Sequence, residues 1–141
     1  MLTAIKETKR VLIADDDPVI RRLVTSAVQR AGFEVVAAHD GREAYRILQS
    51  DSDFKAAIFD MRMPHLEGLE IIRFMRTEKR LMRIPAMMVT SEQDLRLMAD
   101  TLSAGAVLFL RKPFSAEQLQ VTVGMLLNRN VQTTKGNQTS P

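Results

Sequence analysis

Apolar residues alternate between two rhythms along the chain. Five short, near-continuous apolar strings, VLIA at 11–14, FEVVAA at 33–38, AAIF at 56–59, AMMV at 86–89 and VLFL at 107–110, are rich in Val, Ile, Phe and Met. Continuous rather than alternating apolarity predicts strands covered on both faces, as in a parallel sheet. Between the strings, apolar residues recur at helical spacing. The first such segment puts Ile20, Leu23, Val24, Ala27 and Val28 on one face and stops at Gly32, a C′ glycine; Asp17, just before Pro18, reads as its cap. Asp40 with Glu43 reads as a capping box opening the second helix, around Ala44, Ile47 and Leu48. A third helix carries Leu69, Ile72, Phe74 and Met75 after Gly68. Ser91 precedes a fourth, whose Leu95, Met98, Ala99 and Leu102 lead to Gly105. Ser115 with Gln118 is a second capping box and opens a fifth, with Leu119, Val123, Leu126 and Leu127 inward. Strand then helix, five times over, predicts an open α/β sheet with helices on both faces.

Composition narrows this without redirecting it. With 141 residues, 45% of them hydrophobic, the chain is one domain's worth of sequence. The periodic part predicts a single domain over 9–128, after an N-terminal extension at 1–8 and before a polar, aperiodic tail at 129–141 that is expected to be disordered. No apolar run is long enough to span a bilayer, so no membrane contact and a cytoplasmic location are expected. There is no cysteine, and only His39 and His65 could offer imidazole, so any metal should be bound by oxygen. A net charge of +3 is not accompanied by a basic arm, and direct nucleic-acid binding is not expected. The basic run Arg73, Arg76, Lys79, Arg80 and Arg83 reads as a solvated face at a helix C-terminus, and the nine methionines read as core filler.

The chemistry lies in what the apolar strings end with. In an open parallel sheet the functional crevice lies beyond the carboxyl ends of the strands. There the first string meets Asp15, Asp16 and Asp17, the third Asp60, the fourth Thr90 and Ser91, and the fifth Arg111, Lys112 and Pro113. With Asp17 spent on the helix cap, Asp15, Asp16 and Asp60 remain. Close carboxylates do not all ionise comfortably without a cation, so such a cluster binds a hard divalent ion or holds a proton. Magnesium suits it best, since it takes oxygen ligands and is commonly shared between one or two carboxylates and a phosphate. A hydroxyl at Thr90 and an ammonium at Lys112, aimed at the same place, suit a bound phosphoryl group.

The segments VLIADDDP, AAIFDMRMP, MMVTS and LFLRKPF together resemble the receiver domain of bacterial two-component response regulators, over roughly residues 9–128. The resemblance implies a flavodoxin-like, doubly wound (βα)5 fold with five parallel strands in the order 2-1-3-4-5. It implies that Asp60 is the phospho-acceptor, that Asp16, Asp60 and the backbone carbonyl of Arg62 hold Mg2+ directly and Asp15 mostly through water, and that Thr90 and Lys112 contact the phosphoryl group. The Lys112–Pro113 bond would be cis. Thr90 and Phe109 would form the switch that alters the face made by the fourth helix, fifth strand and fifth helix. Arg62 and Glu92 would flank the pocket, pair across its mouth and limit access of water or donor. The implied partners are a histidine kinase or phosphotransfer protein and a downstream protein target, with a phosphorylation-dependent homodimer as a candidate form.

Two other functions compete with this reading. A magnesium-dependent phosphatase of the haloacid-dehalogenase type needs a second acid two residues after its nucleophile, where this chain has Arg62. A receiver-like interaction module that never sees phosphate would typically have lost one of the acids, the threonine or the lysine, and all are present.

Overall fold

A computed structural model describes residues 8–128 of the chain. The expected extension, except for Thr8, and the expected tail lie outside the described residues. In chain order the elements are β1 (Arg10–Ala14), α1 (Pro18–Arg30), β2 (Glu34–Ala38), α2 (Gly41–Ser50), β3 (Ala56–Phe59), α3 (Gly68–Thr77), β4 (Ala86–Thr90), α4 (Leu95–Ala104), β5 (Ala106–Arg111) and α5 (Ala116–Leu127). All strand pairs are parallel and the order is β2-β1-β3-β4-β5. The flavodoxin-like arrangement is therefore the observed one.

Strand alternation divides the core into two layers. Leu12, Ala14, Ala57, Phe59, Ala86 and Met88 face one side and meet Leu48, Ile72 and Met75, from α2 and α3. Val11, Ile13, Ala56, Ile58, Met87 and Val89 face the other and meet Val24 and Val28 of α1 with Leu119 and Val123 of α5. Both faces of these inner strands are apolar because both are covered. Each fully buried Leu or Ile contributes about 2 kcal/mol from lost water contact, which outweighs the preference of any single residue for helix or strand. The expectation of two-sided cover fails at the sheet edges. β2 keeps only Ala38 fully buried and β5 only Ala106, because each has one strand neighbour and thinner helix cover.

Helix ends follow local chemistry, with three corrections. Asp17 caps α1 by accepting from the Val19 N–H, with Pro18 in the first turn, and α1 ends in a Schellman motif. There the Phe33 N–H bonds the Val28 carbonyl and the Gly32 N–H the Gln29 carbonyl, with Gly32 at φ 92°. Ser115 and Gln118 form the reciprocal box at α5. At α2, Asp40 accepts from the Glu43 N–H, but the Glu43 carboxylate bonds the His39 N–H and ring, so only half of the expected box forms.

The second correction is α4, capped by Asp94 rather than prepared by Ser91, with a different inward face. Leu97, Met98 and Ala104 pack on the core and Thr101 is fully buried, while Leu95 and Leu102 stand 71% and 48% exposed. The third is Arg76. Instead of lying on a solvated face, its guanidinium is half-buried and donates to the carbonyls of Met82, Ile84 and Gly105, joining the end of α3 to the α4–β5 turn. Burial pulls its pKa below the usual guanidinium range. Among the methionines, Met61, Met63, Met75, Met87 and Met88 are core, whereas Met82 and Met125 are exposed.

Candidate functional site

Four strands deliver their last residues to one rim. β1 and β3 are neighbours, so the acids that follow them emerge side by side, and the Asp60 N–H bonds the Ala14 carbonyl at 3.0 Å. Asp15 and Asp60 are only 3% and 7% exposed, whereas Asp16 is exposed. One carboxylate oxygen from each of Asp15, Asp16 and Asp60 lies within 4.8 Å of the others. Lys112, just beyond β5, brings its Nζ to 3.3 Å from Asp60 Oδ2 and 3.6 Å from Asp15 Oδ2. Its backbone N–H bonds the Thr90 carbonyl at 2.9 Å, which ties the lysine to the end of β4. The Lys112–Pro113 bond is cis. Gly68, opening α3, packs against the Asp60 backbone so closely that a Cβ there would collide with the Asp60 carbonyl.

Asp15 and Asp60 share one ammonium, and the more enclosed of the two carries the cost of its burial. Burial is the main force raising the Asp15 pKa from 3.8 to about 6. The Asp17 N–H, 2.9 Å from Asp15 Oδ1, and Lys112 oppose the rise, while the charges of Asp60 and Asp16 add to it. Such a cluster gains from a second cation. Its donors are all hard oxygens, one of them open to solvent, which fits magnesium with part of its water shell retained.

Thr90 is fully buried, and its Oγ1 accepts from the Glu92 N–H at 3.1 Å. Accepting leaves the hydroxyl proton free to donate. Arg62 and Glu92 do meet, with Nε at 3.0 Å and Nη2 at 2.8 Å from Glu92 Oε1. Arg62 Nη1 also reaches Glu67 Oε2 at 3.1 Å, so the guanidinium spans from the loop before α3 to the loop before α4. The Glu92 pKa lies below its usual range, first because Asp94 N–H bonds its carboxylate and then because of Arg62. The Arg62 N–H lies 3.4 Å from Asp60 Oδ1. Phe109 is partly buried and pairs in register with Met88, two residues back from the Thr90–Arg111 pair at the rim.

Glu67 escaped the sequence reading. Its only signal is the spacing to Glu70, whose carboxylate accepts from the Glu67 N–H at 2.9 Å. His65 has φ 74° and its ring meets Arg42 at 3.2 Å, away from the acid cluster.

The family model for the response regulator receiver domain matches residues 11–124. A chemotaxis protein CheY1 of Helicobacter pylori is 31% identical over 122 residues, covering 86% of this chain and 98% of that one. Among solved structures, the chemotaxis response regulator CheY4 of Vibrio cholerae superposes with a TM-score of 0.77 at 34% identity, covering 85% of this chain and 99% of that one. The receiver domain of a sensor histidine kinase from Pseudomonas aeruginosa superposes with a TM-score of 0.74 at 25% identity, covering 85% and 98%. That protein was solved with a magnesium ion coordinated in its active-site cleft.

Proposed function

The chain belongs to the response regulator receiver domain family, and on that premise we propose that Asp60 accepts a phosphoryl group from the phosphohistidine of a kinase or phosphotransfer protein. An Asp60 carboxylate oxygen attacks phosphorus, the P–N bond breaks, and its electron pair returns to the imidazole, which takes up a proton. The observation that carries this reading is the convergence of Asp15, Asp16 and Asp60 around one space with Lys112 3.3 Å from the attacking carboxylate. Magnesium, when bound, would neutralise charge on the transferring group. Asp15, Asp16, Asp60 and the Arg62 carbonyl would hold it. Lys112 then pairs with the phosphoryl oxygens and Thr90 donates its hydroxyl proton to them.

The chain is thus a signalling receiver that is itself modified, rather than an enzyme turning over a substrate. The phosphatase reading lacks its acid, because Arg62 stands two residues after Asp60 with its guanidinium engaged by Glu67 and Glu92. We assign Arg62 and Glu92 a gating role over access of water and donor. Thr90, drawn toward phosphate, would open room for Phe109 to turn and alter the face of α4, β5 and α5. Exposed Leu95, Leu102, Val121 and Met125 on these helices suit a protein target or a second phosphorylated copy. No helix among the described residues is long and apolar enough to cross a membrane, and phosphotransfer from such kinases would place the chain in the cytoplasm.

Acetyl phosphate with Mg2+ tests this by intact mass. The expected result is a gain of one phosphoryl group that is absent in Asp60→Asn and absent with EDTA. No gain under any small donor would favour a phosphate-independent interaction module, and sustained release of phosphate from an ester would favour the phosphatase.

A further inference from the structure

Arg21 sits one turn into α1, at the helix end where the macrodipole disfavours a cation. Its neighbour Arg22 is exposed, but Arg21 is half-buried and turns back, bringing Nη1 to 2.7 Å from the backbone carbonyl of Asp15. That is a short, charge-assisted bond. It completes a full set of restraints on Asp15, whose N–H bonds the Ala38 carbonyl at 3.3 Å and whose Oδ1 accepts from the Asp17 N–H at 2.9 Å. Asp16 differs. It is exposed, and among the described residues no hydrogen bond to its side chain is present, yet its carboxylate shares the cluster with Asp15 and Asp60. Asp16 is attached to the rest of the cluster through the Asp15–Asp16 peptide, and the oxygen of that peptide is the atom Arg21 holds.

We propose that Arg21 is a positioning residue for divalent-cation binding, fixing the Asp15–Asp16 peptide so that the Asp16 carboxylate is pre-aimed into the cluster. The inference rests on the reading of that cluster as a magnesium site. Groups that orient ligands through one intervening bond commonly change metal affinity about tenfold or more. The charge of Arg21 acts in the opposite direction, since removing a cation near the site favours a dication. The sign of the effect therefore separates orientation from charge.

Titration calorimetry with MgCl2 on the full chain, comparing wild type with Arg21→Lys, Arg21→Gln and Arg21→Met, provides the test. Arg21→Met, which has no donor, and Arg21→Gln, whose amide nitrogen ends two bonds short of the Nη1 position, should weaken Mg2+ about tenfold, and Arg21→Lys, which reaches further and can still donate to the Asp15 carbonyl, should recover most of the loss. Affinity is read on folded protein, checked by circular dichroism, so a mere loss of stability does not move it. If Arg21→Met does not fold, the contrast of Arg21→Gln with Arg21→Lys gives the same reading. Neutral variants that bind Mg2+ as tightly as wild type, or more tightly, overturn the proposal. A wild-type chain that binds no Mg2+ removes the site reading itself and this inference with it.

Discussion

The rim at β1 and β3 and the flank formed by α4 and β5 are built to different tolerances. β1 and β3 are buried almost throughout, and Asp15 and Asp60, which follow them, are held by neighbouring amides and by Lys112. On the flank, α4 buries only Thr101, β5 is mostly half-covered, and Leu95 faces water. Chemistry on a transferring group needs fixed oxygens, because small misplacements are costly. A surface that answers the chemistry needs the reverse, a segment whose displacement disturbs few buried contacts. Under the proposed switch the two requirements would meet at Thr90, which is buried at the rim and accepts from the Glu92 N–H on the α4 side.

The largest effects should fall on the rim. Asp60→Asn should abolish phosphoryl uptake altogether, measured by intact mass with acetyl phosphate. Lys112→Ala should slow uptake roughly a hundredfold, the scale of losing one charge-stabilising donor, read from the time course of the same reaction. In the core beneath, Ile58→Ala should lower stability by about 3 kcal/mol, whereas Leu95→Ala on the flank should stay within about 0.5 kcal/mol. Urea unfolding measures both, and equal costs would break the distinction between rim and flank.

Asp15 supplies a pH test of comparable or smaller size. Its pKa is raised from 3.8 to about 6, so in metal-free buffer the native state holds this proton more tightly than the unfolded chain does. The contribution of Asp15 to stability is then most favourable below its unfolded value and declines as pH rises toward and through 6, by at most about 3 kcal/mol. Mg2+ should offset the loss, so its gain in Tm should be larger at pH 7 than at pH 5. Melts with EDTA and with MgCl2 check this, and a gain that does not depend on pH would contradict it. The smallest effect should come from Arg62→Ala. Its ion pairs stand in solvent, which screens them, so stability should hardly change. Loss of phosphate from Asp60 should change by a few-fold, and unchanged rates would discard the gate.

Much of the fold was legible because the inner strands are apolar on both faces and the helices between them carry one stripe. The acids, Thr90 and Lys112 were legible as the residues that end those strings, and the structure brings them together as the order of strands requires. What stayed hidden depends on direction rather than residue type. Leu95, Met98, Ala99 and Leu102 satisfy helical spacing as well as Leu97, Met98, Thr101 and Ala104 do, and only the packing of α4 on the sheet selects the second set. Arg76 reads like its basic neighbours until its guanidinium is seen turned onto three carbonyls. Arg21 and Glu67 reach through long, flexible side chains to targets off their own elements, so no local pattern marks those contacts, the Glu67–Glu70 spacing marking only a helix start.

The most direct test of the central claim is to locate the phosphoryl group chemically. After reaction with acetyl phosphate and Mg2+, borohydride reduction converts an aspartyl phosphate to homoserine, and peptide mass mapping finds the converted residue. Conversion confined to Asp60 is the predicted result. Conversion at Asp15 or Asp16, or a phosphate that survives as a stable ester on Ser or Thr, would contradict the assignment of Asp60 as the acceptor.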